Sequence, residues 1–137
     1  MIGKRQEDLI KRFTDRYSIG PSSALNAVEQ EAIGAVVGVN GYTTVAQAEQ
    51  LLGVLDLKPA RWLLDIGAGR GWPGLYLSER SRCRAVVTDV PRPAVVTARS
   101  RAGDLGLDAT CHFALASGSA LPFRAASFDA VVHTDTL

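Results

Sequence analysis

The chain has 137 residues, of which 47% are apolar and 21% charged, and this composition is typical of one globular domain rather than a disordered segment. Fifteen basic and fourteen acidic residues give a net charge of +1, so no strong field favours a nucleic acid or a membrane surface as partner. No apolar run is long enough to span a bilayer, and the first residues turn acidic before a signal-peptide core could begin. We therefore expect a cytoplasmic protein. Cys83 and Cys111 lack metal-ligand spacing, so we predict two buried free thiols and no metal site.

The first part of the chain is predicted to be helical. Apolar side chains recur at helical spacing in three stretches that are separated by glycine-containing loops. Ser22 or Ser23 can cap the second helix, and Thr44 and Gln47 have the spacing of a capping box at the start of the third. The apolar stripes of these helices are too small to build a core alone. We therefore expect residues 1–58 to form a lid over a ligand site and not a separate domain.

From residue 59 onward, short apolar runs alternate with helical stretches, which indicates βαβ units around a parallel sheet. The strands are predicted at residues 62–66, 85–88, 109–113 and 128–133. Helices are predicted at residues 73–80 and 93–105, each with a proline in its first turn, where the missing N–H is tolerated. Gly106 follows the second of these helices at the position of a C-terminal cap. Residues 59–137 are thus predicted to form an α/β unit.

A glycine-rich turn follows the first predicted strand and leads directly into a helix, in the sequence Gly67-Ala68-Gly69-Arg70-Gly71. Glycines at such a turn allow a tight reversal and let a ligand approach the backbone. A dinucleotide fingerprint would require glycine at the sixth position, which is occupied by Trp72. Asp65, two residues before the first glycine, would repel a pyrophosphate and attract a cationic ligand. The alternative is that Asp65 braces the loop or caps a helix.

Two further polar residues end predicted strands. Asp89 follows the second strand, eighteen residues after Gly71, close to the offset at which related folds place an acid on ribose hydroxyls. It could instead cap the next helix. His133 ends the fourth predicted strand and is either a general base that acts on an acceptor or a polar residue that faces solvent.

Three segments together resemble the class I S-adenosylmethionine-dependent methyltransferases. Residues 64–71, L-D-I-G-A-G-R-G, resemble motif I of that family, and residues 87–90, V-T-D-V, resemble its second motif. Residues 117–123, S-G-S-A-L-P-F, and 127–132, S-F-D-A-V-V, resemble the segment before and within the fourth strand. The resemblance implies a Rossmann-like sheet of order 3-2-1-4. In the family the complete order is 3-2-1-4-5-7-6, so we expect this chain to supply the cofactor-binding half and to lack the later strands.

The resemblance also implies roles for individual residues. Asp65 and the glycine loop would surround the methionine moiety of the cofactor, Asp89 would bind the ribose, and His133 would lie near the methyl-transfer site. Ser117 stands where the family often has an acid that contacts the adenine amino group. The implied cofactor-contacting residues are Tyr42, Thr43, Asp65, Gly67, Ala68, Gly69, Gly71, Asp89, Val90, Ser117, Ser119, Ala120 and His133.

The resulting hypothesis is S-adenosylmethionine-dependent methyl transfer to a small-molecule acceptor, with this chain supplying the cofactor-binding half. Two alternatives remain open: an NAD(P)-binding oxidoreductase half-domain, and a non-catalytic module that binds cofactor and acts through a partner. Because a sheet that ends at the fourth strand would leave that strand as an unprotected edge, we also expect a homodimer through it.

Overall fold

The computed structural model describes residues 3–39 and 41–135. Three helices come first, and strands then alternate with helices as the sequence predicts. In chain order the elements are α1 (Lys4–Tyr17), α2 (Ser23–Ile33), α3 (Val45–Leu55), β1 (Trp62–Ile66), α4 (Gly74–Ser81), β2 (Arg84–Asp89), α5 (Arg92–Asp104), β3 (Cys111–Leu115) and β4 (Ala130–Val132).

The four strands form one parallel sheet in the order β3-β2-β1-β4, which confirms the predicted order. Leu63 in β1 pairs with Ala85 in β2 on one side and with Ala130 in β4 on the other. Because all the strands run in the same direction, their carboxyl ends meet at one edge of the sheet. That edge is where open α/β sheets bind ligands.

The hydrophobic core lies between the sheet and helices α4 and α5. Leu63, Leu75, Leu77 and Val87 are almost completely buried in it, and each contributes about 1.5–3 kcal/mol through its buried apolar surface. The small residues Ala98 and Ala102 of α5 belong to the same cluster, alongside the two buried free thiols Cys83 and Cys111. Leu51, Leu52, Leu55 and Leu57 pack against this cluster and are partly buried, so the fully buried part of the core belongs to the part of the chain that carries the sheet.

Strand β3 begins two residues later than predicted, because the cap of α5 is followed by a turn that occupies residues 108–110. The N–H of Leu107 donates to the carbonyl of Ala102 and that of Gly106 to Gly103, which is the glycine-based cap expected at Gly106. The N–H of Thr110 then donates to Leu107 in a further turn, so pairing starts only at Cys111.

Strand β4 is shorter than the predicted residues 128–133. Phe128 packs against Phe123, with ring centroids 5.2 Å apart, instead of joining the sheet. Asp129 brings the chain alongside β1, because its N–H donates to the carbonyl of Trp62 and its carboxylate accepts the N–H of Trp62. Among the described residues β4 pairs with β1 alone, and Val131 is 51% exposed.

The N-terminal segment has well-formed helix caps but little buried surface. The hydroxyl of Ser22 accepts the N–H of Leu25, and Thr44 and Gln47 form the predicted capping box. Helix α1 has no buried residue, and a small second cluster joins Ile33 and Ala48 to Trp72. In the part of the chain that the structure describes, no helix has both the length and the apolar character needed to cross a membrane.

Candidate functional site

The glycine-rich turn after β1 adopts a backbone conformation that side chains rarely allow. Gly67, Gly69 and Gly71 have φ values of +67°, +57° and +96°, in the left-handed region that favours glycine. A Cβ atom on Gly69 would lie 2.5 Å from the hydroxyl oxygen of Tyr17, and one on Gly71 would lie 2.5 Å from Cδ1 of Leu75. Both the curvature of the loop and the close approach of its neighbours therefore require these glycines.

Asp89 fastens this loop from the end of β2. Its Oδ2 accepts the N–H of Gly69 at 2.7 Å, and its Oδ1 accepts the N–H of Val90 at 2.7 Å. Burial raises the pKa of Asp89 above its ordinary value, while the two N–H groups act in the opposite direction. The residue that caps α5 is Pro91, so Asp89 does not have the capping role considered from the sequence.

Asp65 lies beneath the glycine loop and is completely buried. Its Oδ2 accepts the N–H of Gly74, the first residue of α4, at 2.7 Å, whereas Oδ1 has no hydrogen-bond partner among the described residues. Burial raises the pKa of Asp65 well above its ordinary value; the Gly74 N–H opposes this shift, and the negative charge of Asp89 adds to it. The contact joins β1 to the start of α4, as the bracing interpretation of Asp65 requires.

A cavity of about 930 Å³ opens at the carboxyl ends of the strands. Its walls are the glycine loop, the segments that follow β2, β3 and β4, and one face of α1. The predicted cofactor-contacting residues that line it are Gly67, Ala68, Gly69, Asp89, Val90, Ser117 and His133. The predicted residues outside its lining are Tyr42, Thr43, Asp65, Gly71, Ser119 and Ala120.

Three of the residues outside the lining have contacts or exposure that describe their position. The side chain of Tyr42 is 86% exposed, and Thr43 is buried, with its carbonyl accepting the indole N–H of Trp72 at 2.8 Å. The hydroxyl groups of Ser117 and Ser119 are 2.8 Å apart, so Ser119 contacts a lining residue. Thr43 thus supports the loop from the N-terminal side, and Ser119 supports Ser117.

The structure also brings residues to the cavity that the sequence analysis did not identify. Helix α1 contributes Leu9, Ile10, Phe13 and Tyr17, which fall on one helical face. Asp135 lines the cavity too, and its Oδ2 accepts the N–H groups of Tyr42 and Thr43 and the hydroxyl of Thr43 at 2.8–3.0 Å. The amphipathic pattern of α1 and the position of Asp135 just after β4 were available signals, because strand ends share one edge of the sheet.

A parallel sheet, a glycine loop after its first strand and an acid at the end of its second define a Rossmann-like fold. A family model described as a methyltransferase domain matches residues 63–137. The chain belongs to this family.

Individual relatives agree with this assignment. Methyltransferase GfsG of Streptomyces halstedii is 32% identical over 83 residues, which are 61% of this chain and 30% of that protein. The 27-O-demethylrifamycin SV methyltransferase of Amycolatopsis mediterranei is 30% identical over 94 residues, which are 69% of this chain and 35% of that protein. The chain therefore spans about a third of the length of these curated relatives.

Among solved structures, the geranyl diphosphate C-methyltransferase of Streptomyces coelicolor superposes with a TM-score of 0.72. The superposition covers 97% of this chain and 54% of that one, at 21% identity. That structure was solved with Mg²⁺, geranyl diphosphate and S-adenosyl-L-homocysteine. The likeness confirms the Rossmann-like methyltransferase fold and extends it over the N-terminal helices.

Proposed function

We propose that this chain binds S-adenosylmethionine in the cavity at the carboxyl ends of the strands and takes part in methyl transfer to a small-molecule acceptor. The observation that carries the proposal is the placement of Asp89 beside the glycine loop, with both facing one cavity. Membership of the methyltransferase-domain family supports it, as does the S-adenosyl-L-homocysteine bound in a structural neighbour. The named acceptors of relatives, a demethylrifamycin and geranyl diphosphate, are small molecules.

The residues of the cavity suit the parts of this cofactor. Each carboxylate oxygen of Asp89 already accepts one backbone N–H and has a second lone pair available for a ribose hydroxyl. Val90 and Leu115 line the cavity and are partly exposed, which provides apolar surface for the adenine ring. The glycine loop lets the rest of the cofactor approach the backbone, because Gly67, which lines the cavity, carries no side chain.

The bound cofactor would supply a methyl group on a sulfonium, and the task left to the protein is to align the acceptor with it. His133 follows β4 directly and lines the cavity, so we propose that it positions the acceptor or takes its proton. Replacing His133 with Asn should then lower kcat about a hundredfold or more, from the lower end of the range for lost acid–base catalysis upward. Affinity for S-adenosyl-L-homocysteine should stay within a factor of two, and unchanged kcat would argue against the role.

We further propose that residues 1–58 act as a lid. Leu9 and Phe13 of α1 line the cavity yet remain about half exposed, so a ligand beneath the helix would cover apolar surface that is open in its absence. Hydrogen exchange of α1 and of the loop around Gly38 should therefore slow when S-adenosyl-L-homocysteine is added. Unchanged exchange at saturation would contradict the lid.

Calorimetric titration with S-adenosyl-L-homocysteine tests the central proposal. Asp89→Ala should weaken binding by about 1–3 kcal/mol, because the ribose hydroxyls lose their acceptors. Asp104→Ala removes an exposed acid at the end of α5 and serves as the matched control, with affinity unchanged. NAD is the competing ligand: binding of NAD in preference to S-adenosyl-L-homocysteine would favour the oxidoreductase alternative, and equal affinity of Asp89→Ala and wild type would contradict the ribose assignment.

A further inference from the structure

Arg70, between the second and third glycines of the loop, joins the loop to the N-terminal segment. Its Nη2 donates to the carbonyls of Tyr17 and Ile19 at 3.1 and 2.9 Å, and its Nη1 donates to the carbonyl of Gly38 at 3.0 Å. The guanidinium carbon also lies 5.2 Å from the centroid of the Tyr17 ring. One side chain thus contacts the end of α1 and the loop that follows α2.

These contacts suit the groups that they connect. The last four carbonyls of a helix have no partner within the helix, and a positive charge near them is favourable. Tyr17 is the last residue of α1, so Arg70 satisfies one of these carbonyls and places its charge at the helix terminus. The planar guanidinium can donate to several acceptors while it stacks on a ring, which the point charge of a lysine cannot do.

Arg70 is itself held in place from the other side. The Nη1 of Arg101 in α5 donates to the carbonyl of Arg70 at 2.7 Å. On the cavity side, Tyr17 packs so closely on Gly69 that a Cβ atom there would lie 2.5 Å from its hydroxyl oxygen. The N–H of Gly69 in turn donates to Asp89. The contacts therefore run without a break from α1 to the proposed ribose-binding carboxylate.

We infer that Arg70 is a positioning residue of the cofactor site, which holds Tyr17 against Gly69 and so makes α1 a wall of the cavity. Because α1 has no buried residue, its attachment depends on a few contacts of this kind. Without Arg70 the helix leaves the loop, the wall opens and the bound cofactor escapes faster. This inference rests on the proposed function, since the wall affects a cofactor only if one binds there.

The attachment of α1 can be tested without any cofactor. A 14-residue helix is marginally stable alone, so its amides are protected only while it is docked. Hydrogen exchange of residues 10–19 should become at least about tenfold faster in Arg70→Gln, as expected when local opening becomes easier. Arg99→Gln, the same change at an exposed position of α5, should leave exchange unchanged. Equal protection of α1 in Arg70→Gln and wild type would overturn the inference.

The link to the cofactor is tested by calorimetry with S-adenosyl-L-homocysteine. Arg70→Gln should weaken binding about tenfold, or 1.4 kcal/mol. If Arg70 acts through Tyr17, Arg70→Gln should cause no further loss of affinity in a chain that already carries Tyr17→Leu. The effects of the two substitutions on binding are then strongly non-additive. A general structural role would give additive losses, and additivity or unchanged affinity would overturn the inference. If wild type binds no S-adenosyl-L-homocysteine, the proposed function fails, while the exchange experiment still decides whether Arg70 docks α1.

Circular dichroism and thermal unfolding of each variant show whether it folds. Should Arg70→Gln fail to fold, Tyr17→Leu alone carries the test, because it removes the ring beneath the guanidinium and leaves the loop intact. It should speed exchange in α1 and weaken binding about tenfold, and wild-type values for both would overturn the inference.

Discussion

The two regions of this molecule differ in how much apolar surface they bury. Residues 59–135 contain the sheet and a core of completely buried aliphatic side chains, whereas the described residues up to position 58 contribute only Ile33 and Ala48 to the buried apolar set. The N-terminal region is attached by partly buried leucines of α3 and of the segment after it, which pack against that core, and by hydrogen bonds from three side chains, Arg70, Trp72 and Asp135. Completely buried apolar surface is thus concentrated in the sheet region, whereas at the cavity the N-terminal region is held by side chains that can be replaced one at a time.

This difference has a functional meaning. A part of a protein that must move for a ligand to enter is drawn from the regions of low local stability. Of these three side chains, Arg70 lies in the glycine loop, Trp72 directly after it and Asp135 after β4. All three line the cavity. A ligand in the cavity is therefore in a position to influence how firmly the N-terminal region is held.

The largest effect expected from this comparison is in the core. Leu77→Ala removes a side chain that is 0% exposed and should lower the free energy of unfolding by about 2–5 kcal/mol. Leu25→Ala makes the same change in α2, at a side chain that is 58% exposed, and should alter it by about 0.5 kcal/mol or less. Denaturant unfolding of both variants measures the contrast. Similar losses would show that the N-terminal helices share the stability of the core.

A smaller effect is expected where Asp135 holds the segment at Tyr42 and Thr43. Asp135→Ala removes the acceptor of three hydrogen bonds and should lower the free energy of local opening there by about 1–3 kcal/mol. Asp135→Asn keeps an acceptor oxygen and tolerates the left-handed backbone at this position, where φ is +57°, so it should lose less. Native-state hydrogen exchange measures both. If Asp135→Asn and Asp135→Ala have equal effects, the acceptor oxygen at this position does not hold the segment.

The pH dependence of stability tests the contributions of the two acids at the site, Asp65 and Asp89. Burial raises the pKa of Asp65 and of Asp89 in the folded chain. Between the unfolded and the folded pKa, such a group binds more protons when folded, so stability falls as the pH rises from the ordinary value of 3.8 through the raised pKa. Asp65→Asn should make this fall smaller without abolishing it, because Asp89 remains. Urea unfolding at a series of pH values provides the measurement, and identical slopes would contradict the assignment to Asp65.

The weakest effect expected is association through β4. In the described part of the chain β4 pairs only with β1, and its exposed Val131 is apolar. Unpaired edges of this kind recruit other strands, so we propose that two copies associate through β4 at tens of micromolar, a range in which such edges tend to associate. Val131→Lys should weaken this association. Light scattering that shows a monomer for wild type across that range would rule it out.

The sequence predicted the sheet better than the attachments between the two regions. The bounds of β1 were predicted to the residue, because its apolar run ends at an unmistakable glycine turn. The start of β3 was harder to place, since the turn after the cap at Gly106 depends on hydrogen bonds that the apolar pattern does not encode. Arg70 and Asp135 were missed because their partners are distant in the chain: Arg70 is 53 positions from Tyr17, and Asp135 is 92 from Thr43. Asp65 was correctly predicted to lie next to the loop, but its hydrogen bond from the N–H of Gly74 is seen only in the fold.

The two backbone hydrogen bonds of Asp89 have a consequence for the thermodynamics of binding. Because Gly69 and Val90 already hold one carboxylate oxygen each, the side chain is confined to a single rotamer before any ligand arrives. Ordering a free side chain at an interface typically costs about 0.5–1.5 kcal/mol of entropy, and at Asp89 folding has already met that cost. A ribose would therefore bind to a preorganised acceptor. The favourable enthalpy of its hydrogen bonds would then be offset by little loss of side-chain conformational entropy.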